Sequence, residues 1–151
     1  MDRIKKNFVL VDLYNEHNFD SLFKSPRLFL AWTFTESGHD QFCLRYEPDY
    51  KYINKLRYLD LVEKISYGLF QIMGANLFEM GFTDELQIDV FLNDLDMQYR
   101  LVRKFLKRCP SNDINENLRW YNTGSVKESE AGNKYIAKIY SNIKLFSDVK
   151  L

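Results

Sequence analysis

Apolar residues crowd the stretch from Asp49 to Gly81 more than any other part of the chain. Within it Val62, Ile65, Leu69, Ile72, Met73, Leu77 and Met80 recur at three-and-four spacing, the signature of one helix face. Ile53, Leu56, Leu59, Leu61 and Phe70 widen that stripe, so the pattern predicts a long central helix over 49–81, buried on most sides. Asp49 suits the N-cap and Gly81 suits the position just past the end. Gly68 and Gly74 oppose the helix by about 1 kcal/mol each relative to Ala, and Gly74 is a point at which it could divide.

Elsewhere the apolar period shortens to two. Phe8–Leu13 alternates, and Arg27–Glu36 carries apolar residues on both of its faces, as an interior strand does. Ser37 to Asp40 reads as a turn and Gln41–Glu47 as the return strand of a hairpin. Glu85–Leu92 alternates again. A second helix is then predicted over 94–109, burying Leu95, Tyr99, Val102, Phe105 and Leu106 and stopping at Pro110. Leu118–Tyr121 and Tyr135–Tyr140 read as short strands around a polar loop, Asn122–Asn133. Together these elements predict a single α+β domain over 1–151, with a mostly antiparallel sheet of five to six strands packed against two helices.

Composition changes this picture little. The chain has 151 residues, enough for one domain with a real core. Its 21 basic and 21 acidic residues cancel, so no overall field points to nucleic acid or to a membrane surface. Twelve Phe and ten Tyr are many, and aromatics supply both cores and interfaces. Asp60, Glu63 and Lys64 interrupt the central apolar run, which argues against a membrane span. The charged start, Met1–Lys6, lacks the apolar region of a signal peptide, so a cytoplasmic location is expected. Cys43 and Cys109 lack metal-type spacing and read as free thiols in a reducing compartment.

Candidate chemistry is sparse. His17 and His39 could divide acid and base roles, although both fall in predicted turns. His39, Asp40 and Cys43 form no nucleophile motif. Asp84, Glu85, Asp89, Asp94 and Asp96 lack the spacing of a cation loop and suit a solvated face and a helix start. Arg100, Arg103, Lys104, Lys107 and Arg108 fall on one helical stripe, a possible anion-binding surface. No Gly-rich phosphate loop occurs, and no catalytic residue, cofactor or metal is assigned.

The first functional reading is a non-enzymatic protein-binding domain that acts by occluding a partner, as a bacterial immunity or antitoxin protein inhibits a toxin. A basic toxin domain, such as a nuclease, would meet the carboxylates of Glu36, Asp40, Asp84, Glu85, Asp89 and Asp94. One alternative is a nucleic-acid-binding module using the basic helix 100–108. Another is an enzyme whose site is assembled from scattered residues.

Overall fold

The computed structural model describes residues 2–57 and 59–150. Among them the chain is 61% helical, with nine α-helices and one three-stranded antiparallel sheet. The sheet of five to six strands on two helices is therefore corrected to a helical protein with a small sheet. No helix is long and apolar enough to cross a membrane among the described residues.

The chain divides into two compact units, one formed by Met1–Thr35 with Tyr99–Leu151 and the other by Glu36–Gln98. They are called here the helical unit and the sheet unit.

In the helical unit, α1 (Arg3–Glu16) replaces the strand expected over 8–13. The Asp2 carboxylate caps it by accepting from Ile4 N at 2.7 Å, and Asn7, Leu10 and Tyr14 form its buried stripe. A single helical turn, α2 (Asp20–Phe23), follows and ends at Lys24 in the left-handed conformation.

Next, α3 (Pro26–Ser37) replaces the predicted interior strand over 27–36. Leu28 through Thr33 are six consecutive buried residues. A segment buried all round shows neither a period of 3.6 nor one of two, so pattern alone cannot separate strand from helix. Its start signal lies in Ser25–Pro26. The Ser25 hydroxyl accepts from Leu28 N at 3.2 Å, and Pro26 occupies the first helical position, where no N–H is needed.

The strand expected over 118–121 lies in α8 (Ile114–Thr123), and the one over 135–140 lies in α9 (Glu130–Asn142). Asp113 caps α8 by accepting from Glu116 N at 3.0 Å, and Gly124 ends it at φ 80°. Ser129 caps α9 through Gly132 N at 3.1 Å.

Rings fill the core of the helical unit. Phe29 lies 5.0 Å from Tyr14 and 4.9 Å from Phe19, and Trp32 lies 5.2 Å from Phe23. Tyr99 meets Phe19 edge-on at 5.7 Å and donates its hydroxyl to Leu10 O at 2.8 Å.

In the sheet unit the long helix over 49–81 does not form. Its place is taken by α4 (Asp60–Glu63), β2 (Ile65–Tyr67), β3 (Ile72–Met73) and α5 (Gly74–Glu79). β1 (Leu44–Tyr46) is the remaining strand, and the order is β1-β2-β3, with Arg45 opposite Ser66 and Tyr67 opposite Ile72.

Two backbone facts break the helix. Gly68 and Gln71 turn the chain at φ 83° and 52°, which closes the β2–β3 hairpin. At Gly74 an added Cβ would stand 2.1 Å from Val62 O, so only glycine allows α5 to start there. The two strands are buried and short, and their apolar runs imitated one helix face. Leu69, Phe70, Ile72, Leu77 and Phe91 complete this core.

The strand expected over 85–92 is α6 (Glu85–Asn93), and α7 (Leu95–Leu106) lies where the second helix was expected, ending before Lys107. The division between the units falls inside α3 and α7.

Candidate functional site

The end of α3 brings a carboxyl group into the sheet unit. Glu36, half-buried, stands in the last turn of that helix. Its neighbour Ser37 donates its hydroxyl to Leu69 O, in the β2–β3 turn, at 2.7 Å. Gly38 and His39 then both adopt φ 64°, a sharp reversal that is costly for the non-glycine member. Asp40 follows, exposed, its carboxylate accepting from Phe42 N at 2.9 Å. Arg45, on β1, donates to Glu36 O at 3.4 Å.

The Cys43 thiol reports how closely these groups gather. Burial pushes its pKa up, Arg45 opposes that, and the carboxylates of Asp40 and Glu36 add to the upward push. A thiol held protonated in this way is a poor nucleophile. Glu36, Asp40 and Arg45 are thus grouped around one small segment.

Buried amides hold that segment in place. Gln98, fully buried, accepts from Leu69 N at 2.8 Å and donates to Gln41 O at 3.0 Å and Phe91 O at 3.2 Å. Gln71 donates to Cys43 O and Gly68 O, each at 2.9 Å, and its Oε1 accepts from the Ser66 hydroxyl at 2.7 Å. Gln41 also donates to Leu92 O at 3.1 Å. The turn that carries Asp40 is therefore pinned to the hairpin and to the end of α6. Sequence reasoning missed Ser37, Ser66, Gln71 and Gln98, because isolated amides and hydroxyls carry no periodic signal.

A second surface lies on α6. Asp84 caps this helix by accepting from Gln87 N at 3.1 Å, and Asp94 caps α7 by accepting from Met97 N at 2.9 Å. Glu85 and Asp89 are exposed and enter no ion pair among the described residues. Beside them Leu86 and Val90, one helical turn apart, are 72% and 55% exposed. Of the expected partner-binding carboxylates, Asp84, Glu85, Asp89 and Asp94 lie along α6 and its caps, whereas Glu36 and Asp40 lie at the end of α3. All six belong to the sheet unit.

The basic stripe is shorter than its spacing suggested. Arg100, Arg103 and Lys104 are on α7, while Lys107 and Arg108 follow its end. Arg103 is turned inward. It donates to the Ser21 hydroxyl at 2.8 Å, lies 5.9 Å from the Phe19 ring centroid, and burial lowers its pKa. Arg108 lies over the Phe105 ring. Arg100, Lys104 and Lys107 are exposed. His17 ends α1 in the helical unit and His39 is buried in the sheet unit.

The zero net charge conceals a strong division. Of the 21 residues of each sign, the sheet unit holds twelve acidic and only five basic, leaving nine acidic and sixteen basic to the helical unit. From Ile65 to Tyr99 there is no Lys or Arg at all.

No protein-family model, curated protein sequence or solved structure matches this chain.

Proposed function

We propose that the sheet unit is a carboxyl-based hydrolytic site that cleaves glycosidic bonds, with Glu36 as the proton donor. The observation that carries this reading is the setting of Glu36: half-buried in the last turn of α3, next to Ser37, whose hydroxyl ties that turn to Leu69 O at 2.7 Å. A carboxyl group beside a rigid turn can pass a proton to a departing sugar oxygen, with a second carboxylate to stabilise the cationic sugar or activate water. Asp40, across the turn, has the chemistry for that second role.

Two further features narrow the substrate. The excess of carboxylates in the sheet unit repels polyanions, which favours neutral or cationic polymers. Phe42 and Tyr46 project exposed rings from the segment that leaves the turn, and flat aromatic faces pack against the apolar faces of sugar rings.

The test is release of reducing ends from a panel of polymers of hexoses and of N-acetylhexosamines. Hydrolysis of one class, lost on Asp40→Asn, is the expected result. A chain that leaves every polymer intact contradicts the reading.

The exposed Leu86–Val90 ridge beside Glu85 and Asp89 favours a second reading, a non-enzymatic one. There α6 docks a basic protein and occludes it, as an immunity-type inhibitor covers a toxin domain; apolar contacts supply affinity and the carboxylates supply steering. Its test is capture of a basic protein from source cells by wild type and by the Glu85→Lys/Asp89→Lys variant. Equal capture by the two removes α6 as the docking surface.

A further inference from the structure

We infer that the segment 48–57 is a displaceable lid whose Arg57 fills, from within the chain, a site for the guanidinium group of an arginine on another protein. Neither Glu36 nor α6 takes part in it.

The walls of the site come from α4 and α5, within the sheet unit. Fully buried Glu63 and exposed Glu79 both face the Arg57 guanidinium. Arg57 donates through Nη2 to Glu79, and its Nε lies 3.5 Å from Glu63 Oε1. The Phe78 ring completes the site, its centroid 5.8 Å from the guanidinium carbon. Two carboxylates and an aromatic ring are surroundings that recognise a planar cation. The remaining charges of residues 51–64 are otherwise placed. Lys64 donates to Pro48 O at 3.3 Å, while Lys51, Lys55 and Asp60 are exposed, and α5 carries no cation.

Arg57 fits this site incompletely. Its Nε and the Glu63 Oε2 are both buried, and neither has a hydrogen-bond partner among the described residues. A guanidinium seated squarely on a carboxylate donates two parallel N–H bonds and leaves neither oxygen unpaired. An arginine that is not tied to the segment 48–57 is free to seat in that way.

The segment that delivers Arg57 is lightly held. None of residues 48–57 is buried, and Tyr52 and Leu56 are 70% and 83% exposed. Its tethers to α4 and α5 are polar. Asn54 N donates to Glu63 Oε1 at 3.1 Å, Lys64 holds Pro48 O, and the Asn76 side chain bonds the Tyr50 hydroxyl. A stretch with no buried apolar side chain opens at a lower free energy than the core beneath it. The unpaired oxygen of Glu63 adds to that tendency, because a buried charge is costly unless it is fully paired.

The test is titration with methylguanidinium, the head group of an arginine side chain. Arg57→Ala should bind it with a dissociation constant of about 1–10 mM, read from the rise of the thermal midpoint with concentration. Methylammonium should give no such rise, and Arg57→Ala/Glu63→Gln should respond to neither. Wild type carries a second readout that does not depend on the variant folding. There methylguanidinium should speed hydrogen exchange at Asn54 N–H, as the segment leaves Glu63, and leave the Leu69 N–H that Gln98 holds unchanged.

An Arg57→Ala midpoint that ignores methylguanidinium overturns the site. A response that methylammonium reproduces, or one that persists in Arg57→Ala/Glu63→Gln, overturns the assignment to guanidinium and to Glu63. An Asn54 exchange rate that stays constant in wild type overturns the lid, even where Arg57→Ala responds.

Discussion

The helical unit and the sheet unit fill their interiors with different materials. In the helical unit Tyr14, Phe19, Phe23, Phe29, Trp32 and Tyr99 pack ring against ring, and their few polar atoms sit at the ring tips, Tyr99 donating to Leu10 O and Trp32 to the Tyr135 hydroxyl. In the sheet unit Gln71, Gln98, Ser66 and Glu63 are buried among the apolar side chains; Gln71 and Gln98 hold backbone groups of turns far away in sequence, and Ser66 donates to the Gln71 side chain. Glu63 is fully buried, accepts from Asn54 N at 3.1 Å and faces Arg57 at 3.5 Å. Rings supply stability with little demand on geometry, whereas buried amides fix geometry at a risk to stability. A scaffold needs the first and a site needs the second. Left-handed non-glycine residues occur in both units, Asn18 and Lys24 in the helical one and His39 and Gln71 in the sheet one.

That contrast can be broken most strongly at its apolar end. Phe29→Ala should lower unfolding free energy by about 3–5 kcal/mol, read from urea denaturation, because a fully buried ring leaves a cavity among its neighbours. Gln98→Leu should cost about 1–3 kcal/mol for each backbone group left unpaired in the interior. It should also lower any activity by loosening the Leu69 turn, an effect that Phe29→Ala at a matched fraction folded should lack.

Alkaline pH sharpens the comparison further. Burial, with a smaller contribution from Glu85, pushes Tyr67 up to about 12, and its hydroxyl donates to Val62 O at 3.0 Å. The folded state therefore holds this proton more tightly than the unfolded chain, whose tyrosine titrates near 10. Stability from this group is complete below pH 10 and is lost as pH rises toward 12. Tyr67→Phe should flatten that decline in a pH series of thermal midpoints. The smallest effect is expected from Lys104→Gln with Lys107→Gln, both exposed, which should change stability by no more than about 0.5 kcal/mol.

Some of this architecture was legible from residues alone. The stripe Tyr99, Val102, Phe105 and Leu106 marked α7 because one face of that helix is buried and the other is charged, so its period survives. Gly81 does end a helix, at φ 113°, although the helix is the short α5. α3 was not legible by period, since every side of it from Leu28 to Thr33 is buried. Capping would have corrected several assignments. Ser25–Pro26, Asp84 with Gln87, and Asp113 with Glu116 are local start signals, and Gly124 is a stop.

The site divides in the same way. Glu36 and Asp40 stood out only as carboxylates for a basic partner, not as reacting groups. Gln98 did not, since its bonds reach 29 residues to Leu69 and 57 to Gln41. Such convergence is a property of the folded chain, not of any window in it.

The most direct test of the proposed acid is the rate of any glycoside cleavage by Glu36→Gln against wild type, with urea midpoints measured on the same preparations. The amide keeps the shape of the side chain and cannot give up a proton. The account predicts a rate lower by about 10²–10⁴-fold at an unchanged midpoint. An undiminished rate would show that Glu36 is not the acid, and the end of α3 would then be scaffold like the rest of that helix.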